Sequence, residues 1–207
     1  MPNQPARDLD HTIGPERRTA AEFNAHGREC NARKHYDAAI GAFDAAISLD
    51  PRFAAAFNGR GFAYNGKKQY ARAIQDLNEA ILLDPLLADA FNNRGYAYNG
   101  QKDFDRAIQD LSHAISLDPG FADAFNGRAF AYIGKTQYDP ALRDLHEAIR
   151  LDPGFASAFN NRGATYIGLR EYERAIRDLD EAIRLNPGYP GALVNREIAL
   201  RAAGRGC

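Results

Sequence analysis

Apolar and polar residues follow one another along most of this chain with the spacing of amphipathic helices. In one stretch, five apolar residues fall at i, i+1, i+4, i+7 and i+8: Ala73, Ile74, Leu77, Ala80 and Ile81. This spacing places all five on one face of a 3.6-residue helix. The helix is expected to end before Pro85, because proline disfavours helical geometry at the preceding residue and cannot continue the hydrogen-bond ladder.

The whole pattern recurs every 34 residues without an insertion. Four similar segments carry it: AFNGRGFAYNGK from Ala56, AFNNRGYAYNGQ from Ala90, AFNGRAFAYIGK from Ala124 and AFNNRGATYIGL from Ala158. A second block of the general form Y-x-x-A-I-x-D-L-x-x-A-I-x-L-D-P follows each of them. Periodicity of this length is typical of a stacked repeat array. The pattern therefore predicts five units of two helices each: 20–53, 54–87, 88–121, 122–155 and 156–189.

Each predicted first helix carries a small residue near its centre. In chain order these residues are Gly27, Gly61, Gly95, Ala129 and Gly163. A glycine inside a helix costs about 1 kcal/mol relative to alanine, so its return at one position indicates a packing requirement. We predict that the second helix of each unit crosses the first at this point, and that the two form an antiparallel pair.

The repeat resembles the tetratricopeptide repeat, a 34-residue pattern with an aromatic residue at position 4, small residues at 8 and 20, an aromatic at 11, Ala at 27 and Pro at 32. In the third unit, counted from Ala88 as position 1, these are Phe91, Gly95, Ala107, Tyr98, Ala114 and Pro119. Phe in place of Trp at position 4, and Arg in place of Leu at position 7 of four units, are mild departures. The resemblance implies an all-α fold, a right-handed superhelical solenoid of antiparallel helix pairs.

Two flanking segments complete the chain. Residues 1–19 are polar and contain proline, and we expect them to form a flexible N-terminal segment. Residues 190–203 keep the first-helix pattern without a second helix after them, and they are expected to form a C-terminal capping helix. Residues 204–207 are interpreted as a tail.

Charge and composition narrow the possible classes of function. The 26 Lys and Arg against 27 Asp and Glu give a formal net charge of −1, so no global field favours nucleic acid or an anionic membrane as partner. The N-terminal residues contain no apolar core of a secretory signal, and no apolar run reaches the roughly 18 residues of a membrane span. The cysteines, Cys30 and Cys207, do not form a disulfide framework. We expect a cytoplasmic protein.

Patterns that would indicate catalysis or metal binding are missing from the sequence. The five histidines never show the H-x3-H or H-E-x-x-H spacing of a metal site. His113 and His146 come from adjacent predicted second helices and could lie near each other, but solvated positions are favoured. No nucleophile elbow or phosphate-binding loop follows a predicted strand. We therefore predict that the protein is not an enzyme and needs no cofactor or metal.

Two charged residues share fixed positions in four of the five units. Arg at position 7 and Asp at position 23 occur in units two to five, whereas the first unit has His26 and Ala42 there. The two series are Arg60, Arg94, Arg128 and Arg162, and Asp76, Asp110, Asp144 and Asp178. Their joint presence and absence favours a structural ion-pair ladder. The alternative, a basic stripe that binds phosphate, is less favoured because equally many acids accompany the arginines.

The resemblance also implies where a ligand binds, because first helices of this family line a concave groove through positions 2, 5, 6, 9, 12 and 13. Carried onto this chain, those positions give the candidate peptide-binding residues Asn58, Phe62, Asn92, Asn93, Tyr96, Asn126, Phe130, Ile133, Asn160, Asn161 and Ile167. The charges at these positions are few: Arg28, Asp89 and Asp123. The basic residues with which the family's carboxylate clamp holds chaperone tails are missing.

Asparagine stands at position 5 of all five units, beginning with Asn24. Its side chain carries one acceptor oxygen and two N–H donors, so a ladder of asparagines could hold the backbone of an extended peptide whatever its sequence. The alternative is that these asparagines bond neighbouring helices or improve solubility.

The leading hypothesis is a non-catalytic protein–protein interaction scaffold that binds an extended peptide or protein segment in the concave groove. The alternative is a self-associating structural protein built from stacked repeat arrays, since no large surface charge of one sign opposes homo-oligomers. Neither nucleic acid nor a membrane is an expected partner.

Overall fold

The computed structural model describes residues 18–204, and within that range it contains eleven α-helices and no strand. In chain order the helices are α1 (Ala20–Ala32), α2 (Tyr36–Leu49), α3 (Ala54–Gly66), α4 (Tyr70–Leu83), α5 (Ala88–Gly100), α6 (Phe104–Leu117), α7 (Ala122–Gly134), α8 (Tyr138–Leu151), α9 (Ala156–Gly168), α10 (Tyr172–Leu185) and α11 (Pro190–Ala202). The predicted flexible N-terminal segment lies outside the described residues except for Arg18 and Thr19, as do the last three residues of the predicted tail.

The helices stack as consecutive pairs that form an all-α solenoid, which confirms the predicted fold class. Each odd-numbered helix, the first of its unit, packs against the even-numbered helix that follows it. Each first helix also has Cα atoms within 8 Å of the first helix of the next unit, whereas within residues 18–204 no two second helices approach each other that closely. An array whose first-helix layer is more closely spaced than its second-helix layer must curve towards the first helices. The first helices therefore line the concave side.

The two helices of a unit approach each other where a large side chain lies against a residue that has almost no side chain. Leu77, from the second helix of its unit, is fully buried, and a Cβ atom built on Gly61 would lie 2.7 Å from its Cγ atom. Leu111 lies in the same way over Gly95, and so does Leu179 over Gly163. The predicted packing requirement at the centre of each first helix is therefore confirmed.

In the first unit, a larger side chain fills the crossing between the two helices. Phe43 occupies the position that leucine holds in the other units, and its fully buried ring reaches two first helices at once. A Cβ atom on Gly27 would lie 2.7 Å from the ring, and one on Gly59, in the next unit, would lie 2.4 Å from it. The Phe43 ring therefore forbids a side chain at residue 59, where the third unit carries Asn93.

The arginines and aspartates form the predicted ion-pair ladder. In the third unit, Arg94 Nε donates to Asp110 Oδ2 at 2.7 Å and Arg94 Nη2 donates to Asp110 Oδ1 at 2.8 Å. The same two-bond pairing joins the arginine and aspartate of the second, fourth and fifth units. The hydrogen bonds to Asp110 raise the pKa of Arg94. With both oxygens of each aspartate engaged, these arginines act as structural residues and not as a phosphate-binding stripe.

The ladder also ties the second, third and fourth units to the unit before them. Arg94 Nη1 donates to Asn78 Oδ1 at 2.7 Å, and Arg128 Nη1 donates to Ser112 Oγ at 2.9 Å. In both cases the acceptor lies on the second helix of the preceding unit. One guanidinium thus fixes the second helix of its own unit relative to that of its neighbour.

The C-terminal helix α11 packs on α9 and α10. It buries Ala192 and Ala199 in a cluster with Leu179 and Tyr166. Its exposed surface is less polar than a solvating cap would require, because Leu193, Val194 and Ile198 are 48%, 60% and 46% exposed. The helix therefore covers the last pair while presenting an apolar surface of its own.

The ion-pair ladder can be tested with Arg94→Leu, Asp110→Leu and the double variant. Arg94→Leu is expected to lower the free energy of unfolding by about 3 kcal/mol, because it leaves a buried carboxylate without its cation. The Asp110 side chain is 8% exposed against 19% for Arg94, so the single loss should be smaller for Asp110→Leu. The double variant should lose less than Arg94→Leu alone, since it leaves no buried charge. Urea unfolding measures all three.

Strictly additive losses in the two single variants and the double variant would show that Arg94 and Asp110 are not energetically coupled.

The Phe43 ring can be tested with Gly59→Asn, which introduces the residue found at the equivalent place in the third and fifth units. This substitution should lower the free energy of unfolding by about 2 kcal/mol, because the new side chain overlaps the ring. Adding Phe43→Leu should recover most of that loss, since leucine occupies this place in the other units. A double-variant loss equal to the sum of the single losses would contradict the explanation.

Candidate functional site

A cavity of about 850 Å³ opens on the concave side of the first four units. We name it the concave groove. Residues of α1, α3 and α5, together with residues around the start of α7, line it; those with polar or large side chains are Arg28, Asn31, Asn58, Phe62, Asn65, Leu87, Asp89, Asn92, Asn93, Tyr96, Phe121 and Asp123.

The sequence-predicted site residues fall into two groups. Five of them line the groove together: Asn58, Phe62, Asn92, Asn93 and Tyr96. The others lie farther along the array, on α7 and α9, and do not line this cavity: Asn126, Phe130, Ile133, Asn160, Asn161 and Ile167. The predicted set is therefore split between the cavity and a continuation of the first-helix layer.

Two apolar residues of the groove were not among the predicted site residues. Leu87 and Phe121 each stand immediately before a first helix, at position 34 of a unit, and both line the cavity. The sequence does contain a signal for them, because position 34 is apolar or aromatic in every unit: Phe53, Leu87, Phe121, Phe155 and Tyr189.

Aromatic side chains at position 9 form a row along the concave side. Phe62 and Phe130 are 43% and 47% exposed, which is unusual for phenylalanine in a folded protein. Tyr96 lies between them in sequence, and its hydroxyl donates to the carbonyl oxygen of Asp123 at 3.2 Å. Burial by the surrounding protein, and after it the charge of Asp123, raise the pKa of Tyr96. The row thus offers two exposed rings and one ring anchored to the next first helix.

Asparagines at positions 5 and 6 join consecutive first helices. Asn93 Nδ2 donates to Asn58 Oδ1, Asn161 Nδ2 to Asn126 Oδ1, and Asn195 Nδ2 to Asn160 Oδ1, each at 2.9 Å. A side-chain oxygen that accepts such a bond is already engaged without a ligand. These asparagines therefore bond neighbouring helices, the alternative that the sequence left open.

A second set of asparagine bonds runs in parallel with the first. Asn31, Asn65 and Asn99, at position 12, donate from Nδ2 to a backbone carbonyl of the next first helix. The acceptors are the carbonyl oxygens of Gly59, Asn93 and Gly127, at 2.9, 2.7 and 2.9 Å. The spacing of the first helices is thus set by polar side chains that also line the groove.

The bond from position 6 of one unit to the position-5 asparagine of the preceding unit is missing wherever position 6 is glycine. Opposite Gly59, Asn24 Oδ1 is buried and has no partner; opposite Gly127, Asn92 Oδ1 is buried and has none either. At Gly127 a Cβ atom would lie 3.1 Å from both the Tyr96 ring and Leu111. The Tyr96 ring thus crowds the space at residue 127, although less tightly than Phe43 fills the space at residue 59, where the distance is 2.4 Å. As a result, the position-5 oxygen is unsatisfied in the first and third units and accepts a bond in the second, fourth and fifth.

Two carboxylate side chains, those of Asp89 and Asp123, line the middle of the groove. Asp89 and Asp123 occupy position 2 of neighbouring first helices, both are exposed, and neither forms an ion pair with any residue of the described range 18–204. Partial burial, followed by the charges of Asp152 and Asp89, raises the pKa of the Asp123 carboxyl. Arg28 is the basic residue that lines the same cavity, and it lies two units away from Asp89.

The described residues offer no metal-binding arrangement. Between residues 18 and 204, no group of three or more His, Cys, Asp or Glu side chains is placed to hold a metal ion. His113 packs against Phe91, with the ring centroids 4.2 Å apart, and both His113 and His146 are exposed. Cys30 is a buried free thiol. In the same part of the chain, no helix has the length and apolar character needed to cross a membrane.

Comparison with solved structures finds many proteins of the same fold. A thermophilic tetratricopeptide-repeat protein from Thermus thermophilus, TTC0263, aligns over 88% of this chain and 100% of its own, with 17% identity and a TM-score of 0.77. YrrB, described as having an unusual peptide-binding site, aligns over 84% of this chain and 90% of its own, with 26% identity and a TM-score of 0.62.

A third structure is similar over part of the array. The first tetratricopeptide-repeat domain of Spaghetti (RPAP3), bound to the HSP90 peptide SRMEEVD, aligns over 56% of this chain and 93% of its own, with 25% identity and a TM-score of 0.54. None of the curated proteins compared with this chain matches it.

Family models give the most specific comparison. Models of the tetratricopeptide repeat match residues 31–85, 88–121 and 156–189, which together make up more than half of the chain. Two of these matches coincide with the third and fifth units of the sequence pattern. The helix pairs, the small residues at their crossings and these matches agree, and the chain belongs to the tetratricopeptide repeat family.

Proposed function

We propose that this protein is a non-catalytic interaction scaffold that binds an extended segment of a partner protein in the concave groove. The observation that carries the proposal is the row of position-9 aromatics, in which Phe62 and Phe130 are exposed on the concave side. Concave sites that combine apolar rings with a few polar groups are where proteins usually bind ligands. Exposed aromatic side chains are also the residues that most often dominate interface energies.

The spacing of the array fits an extended chain. Packed helices lie about 8–10 Å apart, and an extended peptide advances about 3.3–3.6 Å per residue. One unit therefore corresponds to roughly three peptide residues, and the four units that line the groove correspond to a segment of about a dozen. A partner with apolar side chains at a spacing of about three residues would place one of them near each position-9 residue.

The asparagines have a narrower role in this proposal than the sequence predicts. Asn126 and Asn160 accept bonds from the next first helix, so their oxygens hold the groove in shape. Asn58 also accepts such a bond, and its amide donors remain available to a peptide carbonyl. We assign Asn58 to ligand binding and give Asn93 and Asn161 the role of fixing the helix spacing. Ile133 and Ile167 would extend the apolar contact beyond the cavity.

The comparisons support a peptide ligand in general but not the acidic peptide of one relative. YrrB is described as having a peptide-binding site, and the Spaghetti domain is bound to SRMEEVD. That peptide carries three acidic residues. Position 2 of this chain's central first helices holds Asp89 and Asp123, which would repel such a peptide. We therefore do not extend chaperone-tail binding to this protein.

A second candidate function, association between copies of the chain, is favoured by one feature. The exposed residues Leu193, Val194 and Ile198 give α11 an apolar surface, and apolar patches often mark protein interaction sites. Light scattering across a concentration series distinguishes the two candidates: growth that Ile198→Ser abolishes would support self-association through α11, and a constant monomer would exclude it.

The proposed binding surface can be tested by removing the two exposed rings of the position-9 row, Phe62 in the groove and Phe130 beyond it. Phe62→Ser/Phe130→Ser should weaken binding of linear dodecapeptides, selected from a random phage-displayed library, by at least about tenfold, since buried aromatic anchors often contribute 2 kcal/mol or more each. The loss of stability should be smaller than for a core phenylalanine, because almost half of each side chain is already exposed in the free protein. Fluorescence anisotropy with the selected peptides measures the affinity.

The matched control is Leu82→Ser/Leu86→Ser. These two leucines are 74% and 75% exposed and lie in and just after the second helix α4, away from the groove. The control should bind the peptides like the wild type. If the control loses binding and the Phe62→Ser/Phe130→Ser variant keeps it, the ligand lies on the second helices and the proposed site is wrong.

A further inference from the structure

Two acidic side chains stand without cations in the middle of the concave groove. Three exposed acids elsewhere in the array are paired with bases: Asp37 with Lys67, Asp105 with Lys135, and Asp44 with Arg60. Asp89 and Asp123 have no ion-pair partner within residues 18–204. The exposed second-helix acids Glu79 and Asp139 have none there either, but only Asp89 and Asp123 of these four line the cavity. They sit at the same repeat position on the neighbouring first helices α5 and α7.

An unsatisfied acceptor of a different kind lines the same place. Asn92 follows Asp89 by one helical turn and precedes Tyr96 by another, and its side chain lines the cavity with theirs. It is 6% exposed, and its Oδ1 atom has no hydrogen-bond partner. A buried acceptor without a donor is costly, and native proteins rarely leave one unpaired without a reason.

The missing bond is explained by the glycine at position 6 of the next unit, and Asn24 in the first unit lacks its bond for the same reason. In the second unit, Asn58 Oδ1 accepts from Asn93, and in the fourth, Asn126 Oδ1 accepts from Asn161. The donor that Asn92 lacks would stand at residue 127, where glycine has no side chain and the Tyr96 ring crowds the space. Two carboxylates and one amide oxygen therefore line a part of the groove that supplies acceptors and no cation.

We infer that the partner segment presents a basic side chain to an acidic subsite formed by Asp89, Asp123 and Asn92. This inference rests on the proposed function and specifies the chemistry of its ligand. Arginine fits better than lysine, because a guanidinium offers five N–H donors in a plane and also packs on aromatic rings such as those of Tyr96 and Phe121. Apolar side chains on either side of the basic residue would contact Phe62 and Phe130.

The subsite is tested with Asp89→Asn/Asp123→Asn, which removes two charges and keeps the side-chain shapes. The probe is a random linear dodecapeptide library displayed on phage, selected on the wild-type chain. We expect the selected sequences to contain arginine or lysine flanked by apolar residues. Replacing that arginine by citrulline, an uncharged analogue, should weaken binding to the wild type about tenfold, as expected for a hydrogen bond to a charged group.

The double variant completes a thermodynamic cycle. It should bind the arginine peptide about tenfold more weakly than the wild type does, and the citrulline replacement should then have little further effect. The control Glu79→Gln/Asp139→Asn removes the same charge from exposed residues of the second helices α4 and α8. It should bind like the wild type, which excludes a mere effect of net charge.

The outcomes separate this inference from the proposed function. Selected peptides that lack basic residues, and that lose binding to Phe62→Ser/Phe130→Ser, would overturn the acidic subsite and leave the groove intact as a binding site. A citrulline effect of equal size in the wild type and in Asp89→Asn/Asp123→Asn would also overturn it. Peptides that bind the Phe62→Ser/Phe130→Ser variant as well as the wild type would overturn the proposed function and this inference with it.

Discussion

The two helices of each unit can close on each other only because one of them has almost no side chain at the crossing. Leu77 lies so close to Gly61 that a single added carbon would stand 2.7 Å from its Cγ atom. The same contact recurs in most units, and it sets the distance between the first and second helices. Because interiors are close-packed and resist small changes of volume, this contact fixes the geometry of the unit, and stacking similar units fixes the curvature of the array.

The surface that we propose to bind a partner is built from the same residues that hold the array together. Asn93 bonds Asn58 across two first helices, and Asn65 bonds the backbone of Asn93 in the next unit. The groove is therefore rigid where these bonds form. At position 5, the unsatisfied oxygens occur where glycine interrupts these bonds, as at Gly127 beside Asn92. In a pre-formed groove of this kind, the conformational entropy lost on binding comes mainly from the ligand's own chain.

The sequence predicts most of the fold and only part of the site. A residue at a given repeat position has similar surroundings in each of the five units. Because the sequence therefore shows the same requirement several times, the small residue Gly95 and the pair of Arg94 and Asp110 can be interpreted without coordinates. The bonds between asparagine side chains are harder to predict from the sequence, because donor and acceptor lie 35 residues apart. The alternation of glycine and asparagine at position 6 is visible in the sequence, but its cause, the reach of the Phe43 and Tyr96 rings into the next unit, requires the structure.

A crystal structure of the chain with an arginine-containing peptide selected as above tests the central claim most directly. The account predicts a peptide extended across α3, α5 and α7, with apolar side chains on Phe62 and Phe130. Its guanidinium should lie within about 3 Å of the carboxylates of Asp89 and Asp123. A peptide bound to the second helices, or to the exposed apolar residues of α11, would contradict the proposed binding site.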